Sequence, residues 1–434
     1  MDEERILLQR APKQPDRHSL RQLQRRTVLL CFLAYTVSYL CRTNLSVVLT
    51  PLGQDLGASR SMLGMAGTVF FWTYALGQLI SGGFAQRLNA KNMVFLGLLC
   101  SLCCNLLIGL CRSYLLLTVL WGLNGFALSM IWSSIVRICS SWFTSGQYGQ
   151  VSVIISLPTT VGYVLSWGIT GLLISFVSWR WAFFLPAACT LIFLIFWMFM
   201  VRNFPEEFDH SLEELCTEEA ETGGPGAPAA EAPAKPAVGL LKILFSFTMI
   251  ITAIICMVQG AVKESINLWT PTILGDLAGE GAGGLVSMSS ILVPVIGTVG
   301  ILLSSWIDKK SKGRSNISLF LLSALLLALS LGLIVLQRSF FGSVGVISAI
   351  MAVLYCINVI TTAIVPLKFA HTGRSAQLSG ILNFLTYLGA ALGSMFTGIF
   401  SDAFGWNGAF FLWAGLCLLA FAAVVFSLFE RKKV

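Results

Sequence analysis

Two cations stand out in a chain that otherwise keeps charge out of its long apolar runs. Arg42 lies inside the run from Thr27 to Thr50, and Lys263 lies at a similar depth in the run from Leu244 to Leu274. A cation within a membrane-spanning segment is expensive and marks a protein interior or a polar cavity. Arg42 is too deep in its run for the stem to carry the guanidinium to the interface. Two such residues, one in each half of the chain, predict a central pocket for an anion. A phosphate or carboxylate between them would neutralise both through charge-assisted hydrogen bonds. Glu264 is the one clear acid nearby. Successive helical residues do not face each other directly, so Glu264 need not cancel the lysine; a structural ion pair within this half, a pairing with another helix and the carrying of a coupling proton stay open as its roles.

Other polar residues in the runs are candidate cavity lining. Tyr35 and Tyr39 are four apart and share a helical face, as do Tyr74 and Gln78. Thr159, Thr160 and Tyr163 follow Pro158, Asn267 follows Lys263 by one turn, and Asn358 with Thr361, and Asn383 with Tyr387, sit in late runs. The competing reading is interhelical hydrogen bonding, worth about 0.6 kcal/mol per bond. Arg137, near the end of its run, is expected to snorkel to the interface. His371 and Asp402 fall at run ends, where solvation is expected, and His18 and His210 fall in polar segments. No His/Asp/Ser arrangement suggests a hydrolase, so the chain is not expected to be an enzyme. Cys100, Cys103 and Cys104 cluster without a histidine and read as packing residues; neither a metal nor a cofactor is expected.

The elements that position these residues follow from composition. The 434 residues are 56% hydrophobic and 11% charged, against about 25% charged in soluble domains. A helix crosses the hydrocarbon core with about 20 apolar residues. Runs of that kind fall at 27–50, 62–85, 93–111, 115–140, 149–176, 180–201, 244–274, 285–306, 316–336, 342–368, 375–401 and 407–429. Their continuity excludes a membrane barrel, whose strands alternate over short segments. The polar stretch 1–26 is too long and too charged for a signal-peptide leader, so the first run is read as a retained helix. An acidic and then Pro/Gly/Ala-rich linker, 202–242, separates an N-terminal half, 27–201, from a C-terminal half, 243–434. The acidic part of the linker has the composition of a short surface helix.

The net charge of +8 is a loop bias and no nucleic-acid signal, since no basic cluster is interleaved with exposed aromatics. Arg25, Arg26, Arg87, Lys91, Lys309, Lys310, Lys368 and Arg374 fall on one side of the run pattern, and only Arg60, Arg112, Arg180 and Arg338 on the other. The positive-inside rule then puts both termini and the linker in the cytoplasm, in a multi-pass protein of the cell membrane.

Two six-helix halves joined by a cytoplasmic linker resemble the major facilitator superfamily, whose parallel repeats hold substrate between them near the midplane. The resemblance implies an all-α membrane fold of twelve transmembrane helices in two pseudo-repeats. It also makes helices 1 and 7 equivalent, so that Arg42 and Lys263 would face each other. Short basic loops at 86–91 and 306–310 occupy equivalent places. The second keeps the superfamily's acidic-basic pattern at Asp308-Lys309, whereas the first has Gln86 where an acid is usual.

Tyr39-Leu40-Cys41-Arg42-Thr43-Asn44-Leu45-Ser46 resembles helix 1 of the organophosphate:phosphate antiporters, the glycerol-3-phosphate and hexose-phosphate transporters. Lys263 with Asn267-Leu268-Trp269-Thr270-Pro271-Thr272 resembles their helix 7. Arg137 before Trp142-Phe143, and Asp402-Ala403-Phe404-Gly405-Trp406, resemble the end of their helix 4 and their helix 11–12 turn. The resemblance implies that Arg42 and Lys263 bind the phosphate group of an ester exchanged for inorganic phosphate, in a protein that works as a monomer. Thr43, Gln78, Thr159 and Ser133-Ser134 depart from residues usual in that family, so the ester itself is left open. Asn44-Leu45-Ser46 and Phe70-Phe71-Trp72-Thr73-Tyr74 also resemble the anion:cation symporters, which move sugar acids with protons. Those carry an acid before the helix 1 arginine, where this chain has Cys41. Sensors of phosphate esters form a third class within the resemblance.

Overall fold

The computed structural model describes residues 17–84, 89–143, 145–174, 176–203, 240–279, 281–311, 315–369 and 374–430. Linker residues 204–239 with the expected acidic helix and His210, His371, and residues 86–88 of the Gln86 loop lie outside them. Helices account for nearly all of the described residues, and no strand occurs among them. We number them α1 (Arg17–Leu56), α2 (Arg60–Phe84), α3 (Ala90–Leu110), α4 (Tyr114–Trp142), α5 (starting at Ser145–Ser156), α6 (Trp181–Met200), α7 (Phe247–Ala278), α8 (Gly283–Lys310), α9 (Ser315–Leu336) and α10 (starting at Phe340–Val359). The final helical stretch, Ser375–Glu430, bends at Gly405 and divides into α11 (375–404) and α12 (406–430). Among the described residues, eleven helices are long and apolar enough to cross a membrane, and the last of them runs through this bend. Gly405 has φ 65°, a left-handed conformation that costs glycine little and other residues more.

Helix 1 is longer than its apolar run predicts, beginning at Arg17 and ending at Leu56. The expected polar segment therefore contributes its last turns, with His18, to a helix. The reason is local pairing. Gln24 Nε2 donates to the Trp142 carbonyl at 2.9 Å, and Arg26 donates to the Met200 carbonyl at 2.9 Å. Both acceptors lie in last turns, where helical carbonyls lack intrahelical donors. A cation at that end also suits the helix dipole.

Two helices are interrupted. α5 restarts at Pro158–Leu165 and passes through a π-helical turn, Ser166–Thr170, before Gly171–Leu173. α10 passes through a π-helical turn at Ile360–Ile364 before Val365–Leu367. Proline lacks the amide hydrogen that a continuous helix needs, and π turns recur at functional positions.

Helices α1–α6 pack on one another, and α7–α12 do likewise. The two groups meet along three seams. α2 meets α11 where Thr68 Oγ1 donates to the Ala391 carbonyl at 2.7 Å and Gly64 lies against the Ser394 carbonyl. α5 meets α8 through Thr160 and Thr298. α1 meets α7 beside Arg42. Large apolar side chains such as Phe199, Leu302 and Val335 point outward. In a membrane chain these are the lipid-facing belt.

Candidate functional site

Helix α1 holds Arg42 by bonding its neighbours. Asn44 Nδ2 donates to Asn105 Oδ1 at 2.8 Å and to the Ala182 carbonyl at 3.0 Å. Asn124 Nδ2 donates to the Cys41 carbonyl at 2.9 Å, and its Oδ1 accepts from Ser101 Oγ at 2.6 Å. Cys41 Sγ stands 3.2 Å from Thr190 Oγ1. Thus α3, α4 and α6 grip residues 41–44 from one side. Arg42 points the other way, between the halves.

There it meets rings. The guanidinium carbon lies 4.5 Å from the Tyr74 ring centre, 5.3 Å from Tyr39, 5.5 Å from Tyr387, 5.6 Å from Phe70 and 5.9 Å from Phe71. Arg42 is 9% exposed and enters none of the ion pairs found among the described residues. A cation over a desolvated aromatic face gains about 2 kcal/mol. Rings soften the charge without saturating its five donors, which stay suited to an incoming oxyanion.

Lys263 has a different setting. Its Nζ stands 3.1 Å from Glu264 Oε1, and Asn267 Nδ2 donates to Glu264 Oε2 at 3.1 Å. Tyr355 of α10 presents its ring 5.6 Å from Nζ. Of the readings open for Glu264, the structure shows the ion pair within one half: the adjacent side chains on α7 meet because both are long enough to curl back together. Lys263 and Glu264 are 7% and 4% exposed.

Arg42, Thr43, Ser46, Phe70, Phe71, Trp121, Tyr163, Glu264, Asn267 and Leu268 enclose one cavity of about 30 Å³ between the halves. Lys263 borders it through Glu264 rather than on the wall. Tyr163 is on the wall and packs against Tyr39 at 5.6 Å. Tyr35 is buried one step away, with Tyr39 at 5.1 Å and Trp132 at 5.0 Å. Four other sequence candidates lie off the wall. Asn383 donates to Gln78 Oε1 at 2.8 Å, joining α11 to α2. Asn358 accepts from Gln259 at 2.9 Å, joining α10 to α7. Thr159 is half-buried, and it is Thr160 beside it that bonds across to α8.

A second cluster joins the halves at the face opposite the termini. Arg60 of α2 pairs with Asp276 of α7 at 2.5 Å and stacks 4.6 Å from the Trp406 ring centre. Trp406 Nε1 donates to Asp276 at 2.8 Å. Asp402 accepts from Arg60 N at 3.1 Å, from Ser61 N at 2.7 Å and from Ser61 Oγ at 2.5 Å. Asp402 is exposed, as its place at a run end predicts, but it is also bonded. It caps the start of α2, as carboxylates do at helix N-termini. Its sequence signal was the acid ahead of Gly405, but its partner lies 341 positions away. Trp269 packs on Trp406 at 5.7 Å, so the resembling α7 and α11–α12 motifs converge here. Arg137 is half-buried near the end of α4, beside Ala90, Ser141 and Asn203.

Two pseudo-repeated helix groups closing on a buried charged cavity define a membrane transporter rather than an enzyme. The profile of the Major Facilitator Superfamily matches residues 31–394, and the chain belongs to that superfamily. A probable hexose phosphate transport protein of Chlamydia trachomatis is 24% identical over 92% of this chain and 88% of its own. A hexuronate transporter of Bacillus subtilis is 23% identical over 92% and 93%. The glucose-6-phosphate exchanger SLC37A2 of Bos taurus is 24% identical over 91% of each. The crystal structure of the nucleoside transporter NupG superposes with a TM-score of 0.69 at 15% identity, over 93% of this chain and 98% of that one.

Proposed function

We propose that the chain carries a phosphate ester across the membrane by alternating access and exchanges it for inorganic phosphate. The observation that carries this reading is Arg42: a buried guanidinium on the wall of the inter-half cavity, ringed by aromatics and outside every ion pair found. Its planar donor fork matches phosphate oxygens. Lys263 supplies a second positive charge next to the wall, and Asn267 and Tyr163 supply polar contacts for the rest of the ester. The sugar-phosphate names of two relatives support the same substrate class. The single chain is the working unit, with both termini on the cytoplasmic side of the cell membrane.

Exchange has a physical basis. Carrying an unpaired buried charge through a closed state is strongly unfavourable, so a bound anion eases closure in each direction. Liposomes containing the purified chain and loaded with inorganic phosphate are expected to take up labelled glucose 6-phosphate at fixed pH. Uptake of a sugar acid driven by a proton gradient, without phosphate, would sink the proposal.

That proton-coupled carboxylate reading has one favouring observation, the hexuronate transporter among the relatives. Against it, Cys41 stands where such symporters carry an acid, and its sulfur faces Thr190 of α6, away from the cavity. The sensor reading predicts binding of glucose 6-phosphate with no uptake in the same liposomes.

A further inference from the structure

Glu264 lies on the cavity wall, and its carboxylate is divided between two neighbours. Oε1 stands 3.1 Å from Lys263 Nζ, and Oε2 accepts from Asn267 at 3.1 Å. Toward Lys263 it does what an oxygen of a bound phosphate would do. Across the cavity, five ring faces enclose Arg42. The rings ease the burial of Arg42 without filling its donors, whereas Lys263 has a counter-anion from the chain itself. The cavity between them is small, about 30 Å³. Around it the α2–α11 seam is in contact from the Arg60 cluster, through Thr68 and the Tyr74–Tyr387 rings 4.6 Å apart, to Gln78 and Asn383.

Strict exchange arises when buried cations prevent closure until an anion arrives. A lysine that closes on its own carboxylate escapes that condition. We propose that Glu264 is a built-in counter-anion for Lys263, taking the substrate's place there when the site is unloaded, so that the unloaded carrier closes and returns and net transport accompanies exchange. This rests on the phosphate-ester reading. On loading, the ester's phosphate displaces Oε1 from Lys263 while Asn267 keeps its hold on Oε2. Glu264 therefore competes with the substrate and loosens its binding.

The test uses liposomes containing the full chain and labelled glucose 6-phosphate. Efflux is measured into buffer free of phosphate and phosphate esters, and into buffer with unlabelled glucose 6-phosphate. The first is net transport, the second exchange, and their ratio within one preparation does not depend on how much protein folded. The wild type is expected to show both. Glu264→Gln is expected to lower the ratio of net efflux to exchange by about tenfold or more, because Lys263 then closes without an anion. It should also lower the glucose 6-phosphate concentration that half-saturates exchange. Glu264→Asp keeps the charge with a shorter reach and is expected to fall between them; it decides the matter if Glu264→Gln does not exchange, an unchanged ratio then overturning the proposal. Wild-type exchange without net efflux, or the same ratio in Glu264→Gln, overturns it as well. Absence of both fluxes in the wild type overturns the phosphate-ester reading instead and takes this proposal with it.

Discussion

Arg42 and Lys263 look like twins in the sequence, yet their surroundings differ in kind. Arg42 is held by bonds to its neighbours on α1 and faces a cage of ring faces. Lys263 is bound directly, to Glu264. Rings lower the cost of a buried charge but leave its donors usable, whereas a carboxylate occupies them. The difference suggests a division of labour: Arg42 is the standing anion receptor, and Lys263 is released to the substrate only when Glu264 yields.

The largest effect expected from breaking this comparison is on stability. Lys263→Ala leaves Glu264 buried without its cation and should destabilise the protein by about 3–5 kcal/mol. The double variant Lys263→Met with Glu264→Gln should recover most of that loss in thermal unfolding of the detergent-solubilised protein. If the single variant unfolds like the wild type, the ion pair does not matter to the fold. Arg42→Ala removes no ion-pair partner, so its effect should appear in binding. Losing a buried charge-assisted contact costs about 2 kcal/mol or more, about a 30-fold loss of affinity for glucose 6-phosphate. Arg42→Lys should rescue only part, because a point charge lacks the guanidinium fork. Equal binding by both variants would remove Arg42 from the site.

Smaller changes sharpen the same contrast. Tyr387→Leu deletes one face of the cage and should cost about 0.5–2 kcal/mol, read as lowered stability when no ester is present. The analogous Tyr355→Leu beside Lys263 should cost less, since that cation keeps Glu264. A larger effect at Tyr355 would reverse the assignment. The smallest effect is expected at the Arg60 cluster, whose pair is about a third exposed on each side. Such pairs contribute about 0–1 kcal/mol. Arg60→Ala should leave unfolding nearly unchanged and show instead as a shift in how readily a thiol probe reaches a cysteine placed at Thr50.

Much of the fold was legible because its rules are local. Apolar run length sets span length, and the linker's composition separates the runs six and six. Where local rules met tertiary pairing, the reading slipped. α1 runs ten residues further back than its apolar run because Gln24 and Arg26 find carbonyls at the ends of α4 and α6. For Gln78, Asn358 and Asn383 the sequence leaves cavity lining and interhelical bonding both open, and in this structure they bond across helices. Phe70, Phe71 and Tyr355 carry no signal as site residues, whereas Tyr387 does, one turn from Asn383. An aromatic in an apolar run looks like packing until a cation is found beneath it.

The sequence by itself determined that this is a twelve-span membrane protein with two buried cations, since hydrophobicity and the cost of burying charge depend on residue type and run length alone. Only the tertiary structure decided what each cation touches. Ring faces from α1, α2 and α11 reach Arg42, and one carboxylate curls back onto Lys263. Those contacts depend on helix rotation and side-chain reach, which packing between the halves sets and which neighbouring residues in the chain do not encode.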